Sequence, residues 1–209
     1  MNAATPERWA AVWRQSGLRG DGAQVYAELL VHYSEPHRHY HTLNHISDLL
    51  AEFDGVSALA RHPGAMELAI WFHDAIYDSR AGDNEEKSAE LGRERISVAG
   101  GPPALADAVS TLIMATKLHD SSPHGDAPLL VDLDLSIFGK ATDRFDEYET
   151  QIRQEYGWVP KPIFNAKRAE ILERFFARAR IYFTEHFFAK YEQMARLNLQ
   201  RSIRKLRRQ

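Results

Sequence analysis

Apolar residues recur along this chain at intervals of three and four, the period of a helix buried on one face. "ERWAAVWRQ" sets Trp9, Val12 and Trp13 at that spacing, and "AQVYAELLVHYS" does the same with Val25, Leu29 and Tyr33. "AMELAIWFHDAIYD" is apolar almost throughout, with Leu68, Ile70, Trp71, Phe72 and Ile76, and predicts a central core helix. "NEEKSAELGRERI" predicts an amphipathic, more exposed helix, with Asp83 and Glu86 at capping-box spacing at its start. "PPALADAVSTLIMAT" opens on prolines, which a first helical turn tolerates. "ATDRFDEYETQIRQEY" has Thr142 as an N-cap and Phe145, Tyr148 and Ile152 on one face. The tract from Ile163 to Leu206 predicts a long helical stretch broken near Ala179 to Tyr182. "APLLVDLDLSIFG" reads as either strand or helix, closed by Gly139 in both cases. Period-two alternation is otherwise almost absent. The expectation is one all-α domain over residues 1–209.

Composition narrows the chemistry. The chain of 209 residues has no cysteine, so disulfides and thiolate metal sites are excluded. Any metal site must use His, Asp, Glu or water. No secretory signal pattern opens the chain, and no apolar stretch reaches bilayer length, so the expectation is a cytoplasmic protein with no membrane partner. The net charge of −3 conceals an asymmetry: "RSIRKLRRQ" carries five cations, leaving −8 on residues 1–200. Without aromatic or glycine-rich company, that tail reads as a solvated helix end whose cations suit the helix dipole, not as a nucleic-acid-binding arm.

Candidate chemistry lies in three places. "EPHRHYHTLNHI" holds His37, His39, His41 and His45, four of the chain's ten histidines. A lone histidine near a helix start ordinarily has no special duty. "AIWFHDAIYD" changes the balance, because His73 and Asp74 are read in the middle of an apolar helix. Burying that pair costs several kcal/mol unless something charged meets it. "LVDLDLSIFG" adds Asp132 and Asp134 among Leu and Val, where a turn or cap is the plainer use of Asp.

Together these residues resemble the HD superfamily of metal-dependent phosphohydrolases. The family pattern of His, then His-Asp, then a distant Asp is matched by His45, His73-Asp74 and Asp134 over about residues 33–140, with C-terminal helices over about 141–209. "YHTLNHI" also resembles the tyrosine-histidine-asparagine signature of cyclic-nucleotide phosphodiesterases, although residue 42 is Thr where that signature has Asn. The stretches "YHTLNHI", "HDAIYD", "DNEEKSAE", "VDLDLSIFG", "IRQEYGWVP" and "ARLNL" resemble a bacterial branch of the superfamily. The resemblance implies a single HD-type helical bundle with His45, His73, Asp74 and Asp134 as metal ligands. It favours Asp134 over Asp132, which would support the site or point away. His41 is implied as the general acid, and a spacing of four puts it on one helical face with His45 if the helix has begun by then.

A two-His, two-Asp set fits Mg²⁺, Mn²⁺, Fe²⁺, Zn²⁺, Ni²⁺ or Co²⁺ as one ion or two. Asp74, Glu86 and His119 are candidates for a second ion. Arg38, Lys117, Arg153 and Tyr156 are candidates for contacts to a small phosphorylated substrate, a nucleotide by expectation. Two other readings stand beside hydrolysis. One is a di-iron oxygenase, with His119 or His124 adding a ligand, and the other is a non-catalytic nucleotide-binding module. Oligomeric state is left open, a homodimer included.

Overall fold

The longest apolar run of the chain becomes the helix around which the N-terminal part is packed. The computed structural model describes residues 3–119 and 125–208; among them the secondary structure is all helical, with no strand. The chain divides into two compact units, residues 1–131 and 132–209.

The first unit contains α1 (Pro6–Gln15), α2 (Ala23–Tyr33), α3 (Leu43–Asp54), a 3₁₀ turn (Ser57–Leu59), α4 (Pro63–Phe72), α5 (Asn84–Val98), α6 (Pro103–Thr116) and most of α7 (Ala127–Asp134). α4 packs on α1, α3, α5 and α6. Leu68 to Phe72 are all fully enclosed, each large side chain contributing roughly 1.5–3 kcal/mol by leaving water. Pro63 begins α4, and Asp126 fixes its entry: the two carboxylate oxygens accept from Arg61 N and His62 N, both at 2.8 Å.

An aromatic cluster joins α1, α2 and α4. Trp9 lies 5.1 Å from Trp13 and 5.4 Å from Trp71 between ring centroids, with Tyr26 5.9 Å from Trp71. The Trp9 indole N–H donates to the Gly22 carbonyl at 2.9 Å. Gly22 has φ +70, and a Cβ there would meet Trp9 and Trp13 within 2.8 Å, so only glycine suits that turn.

The second unit begins inside α7 and continues through a 3₁₀ segment (Leu135–Gly139), α8 (Thr142–Glu155), α9 (Lys161–Phe176) and α10 (Glu185–Arg207). The ambiguous stretch 127–139 is therefore helical. The expected break in the C-terminal tract falls between α9 and α10, over residues 177–184. α10 packs on α9 and on the 3₁₀ segment, where Gly139 lies so near Tyr191 that a Cβ would sit 2.3 Å from the Tyr191 Cβ. Asn198 donates to the carbonyls of Phe138 and Lys140, both at 2.9 Å. Phe145, Tyr148 and Ile152 of α8 are buried as their spacing predicts.

Two capping expectations are corrected. Asp83 precedes α5 but makes no capping bond; its carboxylate pairs with Lys87 at 2.9 Å, while Glu86 pairs with Lys117. Charged partners four residues away and at the C-terminal cap of α6 outcompete the backbone N–H groups. Thr142 is the first helical residue of α8, not its cap, and Ala141 holds the cap position without a side-chain bond. The basic tail is the end of α10, with Arg201 paired to Asp146 and Arg207 to Glu173, each at 2.7 Å. No described helix is long and apolar enough to cross a membrane.

Candidate metal centre

α4 ends at Phe72, and His73 is its C-terminal cap residue. His73 and Asp74 thus stand at the exit of the apolar helix, not in its middle. His73 still donates its N–H to the Ala69 carbonyl at 2.9 Å, the chain turns out of the helix beyond it, and the two side chains meet, His73 Nε2 lying 3.1 Å from Asp74 Oδ2. His45 approaches from the first turn of α3. Among the described residues, His45, His73 and Asp74 form a group whose ligand atoms all lie within 4.8 Å of one another. The two Nε2 atoms are 3.2 Å apart, and Asp74 Oδ2 is 3.1 Å from His73 Nε2 and 3.5 Å from His45 Nε2. Both imidazoles are buried, and the Asp74 side chain keeps 18% exposure, so the group opens to solvent on the carboxylate side.

The donor set fits a cation on its own chemistry. His73 Nδ1 lies 2.9 Å from the Ile70 carbonyl, which can only accept, so Nδ1 carries the proton. A neutral His73 then turns a bare Nε2 lone pair toward a carboxylate oxygen. The two repel unless positive charge comes between them, as a second proton on the ring or a metal ion. Burial by itself would raise the Asp74 carboxyl. With the second proton on the ring, the charge of His73 and that of His41, together with hydrogen bonds from His45 and His73, outweigh it and hold the carboxyl well below the usual carboxylate range. Asp74 is therefore an anion at neutral pH, set between two imidazoles. This group could hold a metal ion.

His41 stands before α3 begins, so it does not share a helical face with His45. Aromatic packing places it instead. Its ring stacks on Tyr77 at 4.1 Å, meets Tyr40 edge-on at 5.0 Å and lies 6.0 Å from the His45 ring. Tyr40 also packs on His45 at 4.8 Å. Spacing gave no sign of these tyrosines as parts of the site. The signal was their place inside "YHTLNHI" and "HDAIYD", beside the candidate ligands.

The other candidates go elsewhere. Asp132 turns to the start of α10, accepting from Phe183 N at 2.8 Å, Thr184 N at 2.7 Å and Thr184 Oγ1 at 2.6 Å. Burial raises its carboxyl, which these bonds partly offset. Asp134 closes α7 and belongs to the second unit. Burial pushes the Tyr148 hydroxyl up to about 12; Arg168 pulls it back, and the charges of Glu149 and Asp134 add to the rise.

Arg38, expected as a substrate contact, is enclosed: its side chain is 0% exposed and donates to protein acceptors. Lys117 donates to the Gly82 carbonyl at 3.0 Å besides pairing with Glu86. Arg153 closes its own turn through the carbonyls of Tyr156 at 2.6 Å and Val159 at 2.9 Å, and lies over the Phe164 ring. Tyr156 is half-buried, its ring 6.1 Å from Phe164. His119 follows α6 with φ +48, and His124 lies outside the described residues. No protein-family model, curated protein or solved structure gives a significant match to this chain.

Proposed function

We propose that this chain is a metal-dependent phosphohydrolase acting on a small phosphoester or phosphoanhydride, a nucleotide among the substrates to test first. The observation that carries the reading is the meeting of His45 Nε2, His73 Nε2 and the Asp74 carboxylate within 3.5 Å. Its agreement with the His, His-Asp part of the pattern supports the choice of reaction.

In this reading His45, His73 and Asp74 hold a divalent ion. Such an ion, when bound, makes water nucleophilic near neutral pH and neutralises phosphate charge. The protein's own part is to keep Asp74 ionised, to fix His73 through the Ile70 carbonyl, and to hold a proton donor nearby. His41 is that donor: stacked on Tyr77, it would deliver its proton to the departing oxygen of the ester. With Arg38 enclosed, Lys117 on Glu86 and Arg153 in its own turn, phosphate binding would rest mainly on the metal group and the open side of Asp74.

The test is purification with elemental analysis, followed by phosphate release from a panel of nucleotides and phosphoesters with Mn²⁺, Mg²⁺ or Co²⁺. Metal-activated release that Asp74→Ala abolishes is the expected result. Iron with an optical band in air, and no phosphate release, would favour the oxygenase reading. Tight nucleotide binding without turnover would favour the binding module. A variant Asp74→Ala that keeps both metal and turnover would overturn the assignment of the site.

A further inference from the structure

Arg38 lies at the join between the histidine segment and the turn after α4. Its guanidinium is flanked by two rings, 5.2 Å from the Tyr33 centroid and 5.5 Å from the Tyr77 centroid. Nε donates to the Glu35 carboxylate at 2.9 Å. Nη2 donates to the Ala75 carbonyl at 2.7 Å. Nη1 donates to two carbonyls at once, His41 at 3.1 Å and Asp74 at 2.6 Å. His37 adds an outer contact, its Nε2 lying 2.8 Å from the Tyr77 carbonyl. One nitrogen thus ties the main chain of His41 to the main chain of Asp74, and the two residues are distant in sequence.

An enclosed cation is costly, and a merely structural one needs no bond to these two residues in particular. We propose that Arg38 is a positioning residue that fixes the separation and angle between the His41 ring and the Asp74 carboxylate. This inference rests on the phosphohydrolase reading for its kinetic consequence, though not for its geometry. The planar fork of arginine is required. Lysine carries one nitrogen on a flexible stem and cannot hold the His41, Asp74 and Ala75 carbonyls while pairing with Glu35. Tyr77 serves both ends, flanking the guanidinium on one side and stacking on His41 at 4.1 Å. Loosening of Arg38 should therefore reach the His41 ring.

The experiment compares wild type, Arg38→Lys and Glu35→Ala, with folding checked by circular dichroism. Glu35→Ala removes the acceptor of Nε, a half-exposed carboxylate that also lies 3.7 Å from His32 Nδ1 and from His37 Nε2, and decides the matter if Arg38→Lys does not fold. The first readout needs neither metal nor substrate: the nuclear Overhauser effect between ring protons of His41 and Tyr77. It should be present in wild type, weaker in Glu35→Ala and lost in Arg38→Lys.

The second readout is kinetic. For esters with poor leaving groups, kcat should fall by about 10²-fold in Arg38→Lys, the scale expected for a misplacement of ~1 Å. KM should stay unchanged, and activated esters should lose far less. A folded Arg38→Lys that keeps the Overhauser effect overturns the proposal, as does an equal kcat loss on both ester classes. If Arg38→Lys does not fold, an unchanged Overhauser effect in Glu35→Ala overturns it. If wild type hydrolyses nothing, the phosphohydrolase reading falls, and the Overhauser effect alone decides the role of Arg38.

Discussion

At the scale of single residues, two aspartates that both follow apolar runs, Asp74 and Asp132, have opposite uses. Asp74 has imidazoles for neighbours and its charge is held. Asp132 has backbone N–H groups and a hydroxyl for neighbours and is raised by burial. Removing the Asp132 carboxylate leaves the N–H groups of Phe183 and Thr184 without their acceptor. Asp132→Ala should therefore lower the unfolding free energy by about 2–4 kcal/mol, measured by urea denaturation, while metal affinity stays within about twofold. A loss of metal binding in that variant, with the fold intact, would restore Asp132 as a ligand. His73 acts through its partner. Gln in its place cannot keep both the Ile70 contact and an imidazole lone pair, so His73→Gln should weaken Mn²⁺ binding by more than about tenfold in calorimetric titration.

At the scale of helices, period and caps differ in what they reveal. Trp9, Val12 and Trp13, or Phe145, Tyr148 and Ile152, are buried as their spacing requires, because burial of one face is a property of the segment itself. The stop of α4 was not legible. "IWFHDAIY" contains no Gly or Pro, and what ends the helix comes from far along the chain. Arg38 takes the carbonyls of Asp74 and Ala75, and the Ser88 hydroxyl accepts from Ile76 N at 3.0 Å. The capping box at α5 failed for a similar reason, since Lys87 and Lys117 compete for the carboxylates.

Ion pairs between helices also carry a pH dependence. Arg95 of α5 meets Glu28 of α2 at 2.7 Å and, by its hydrogen bond and charge, holds the Glu28 carboxyl below its ordinary 4.5 despite partial burial. A lowered folded-state value means stability present above pH ~4.5 and lost as pH falls through the folded value. About a third of each side chain is exposed, so the pair is worth at most about 1 kcal/mol. Glu28→Gln should cost that much near pH 7 and progressively less below pH ~4.5 in urea denaturation. A cost independent of pH would show that the charge of Glu28 is not what joins α2 to α5.

At the scale of the whole molecule, the candidate site was legible because its chemistry conflicts with its surroundings. Histidines and an aspartate inside apolar segments call for a common partner, and three of them converge. The candidate substrate cations were not legible, because Arg38, Lys117 and Arg153 resemble surface residues in a sequence and only packing shows what they hold. The three candidate ligands belong to the unit of residues 1–131, and Asp134 to the unit of residues 132–209. The account requires that one divalent cation is held by side chains drawn from α3 and from the turn after α4.

Calorimetric titration of metal-free protein with Mn²⁺ tests that requirement most directly. Wild type should bind, and His45→Ala, His73→Ala and Asp74→Ala should each weaken binding by more than about 10²-fold, since even neighbours that only support a metal ligand are worth 10–100-fold. Unchanged affinity in folded variants of all three would contradict the account.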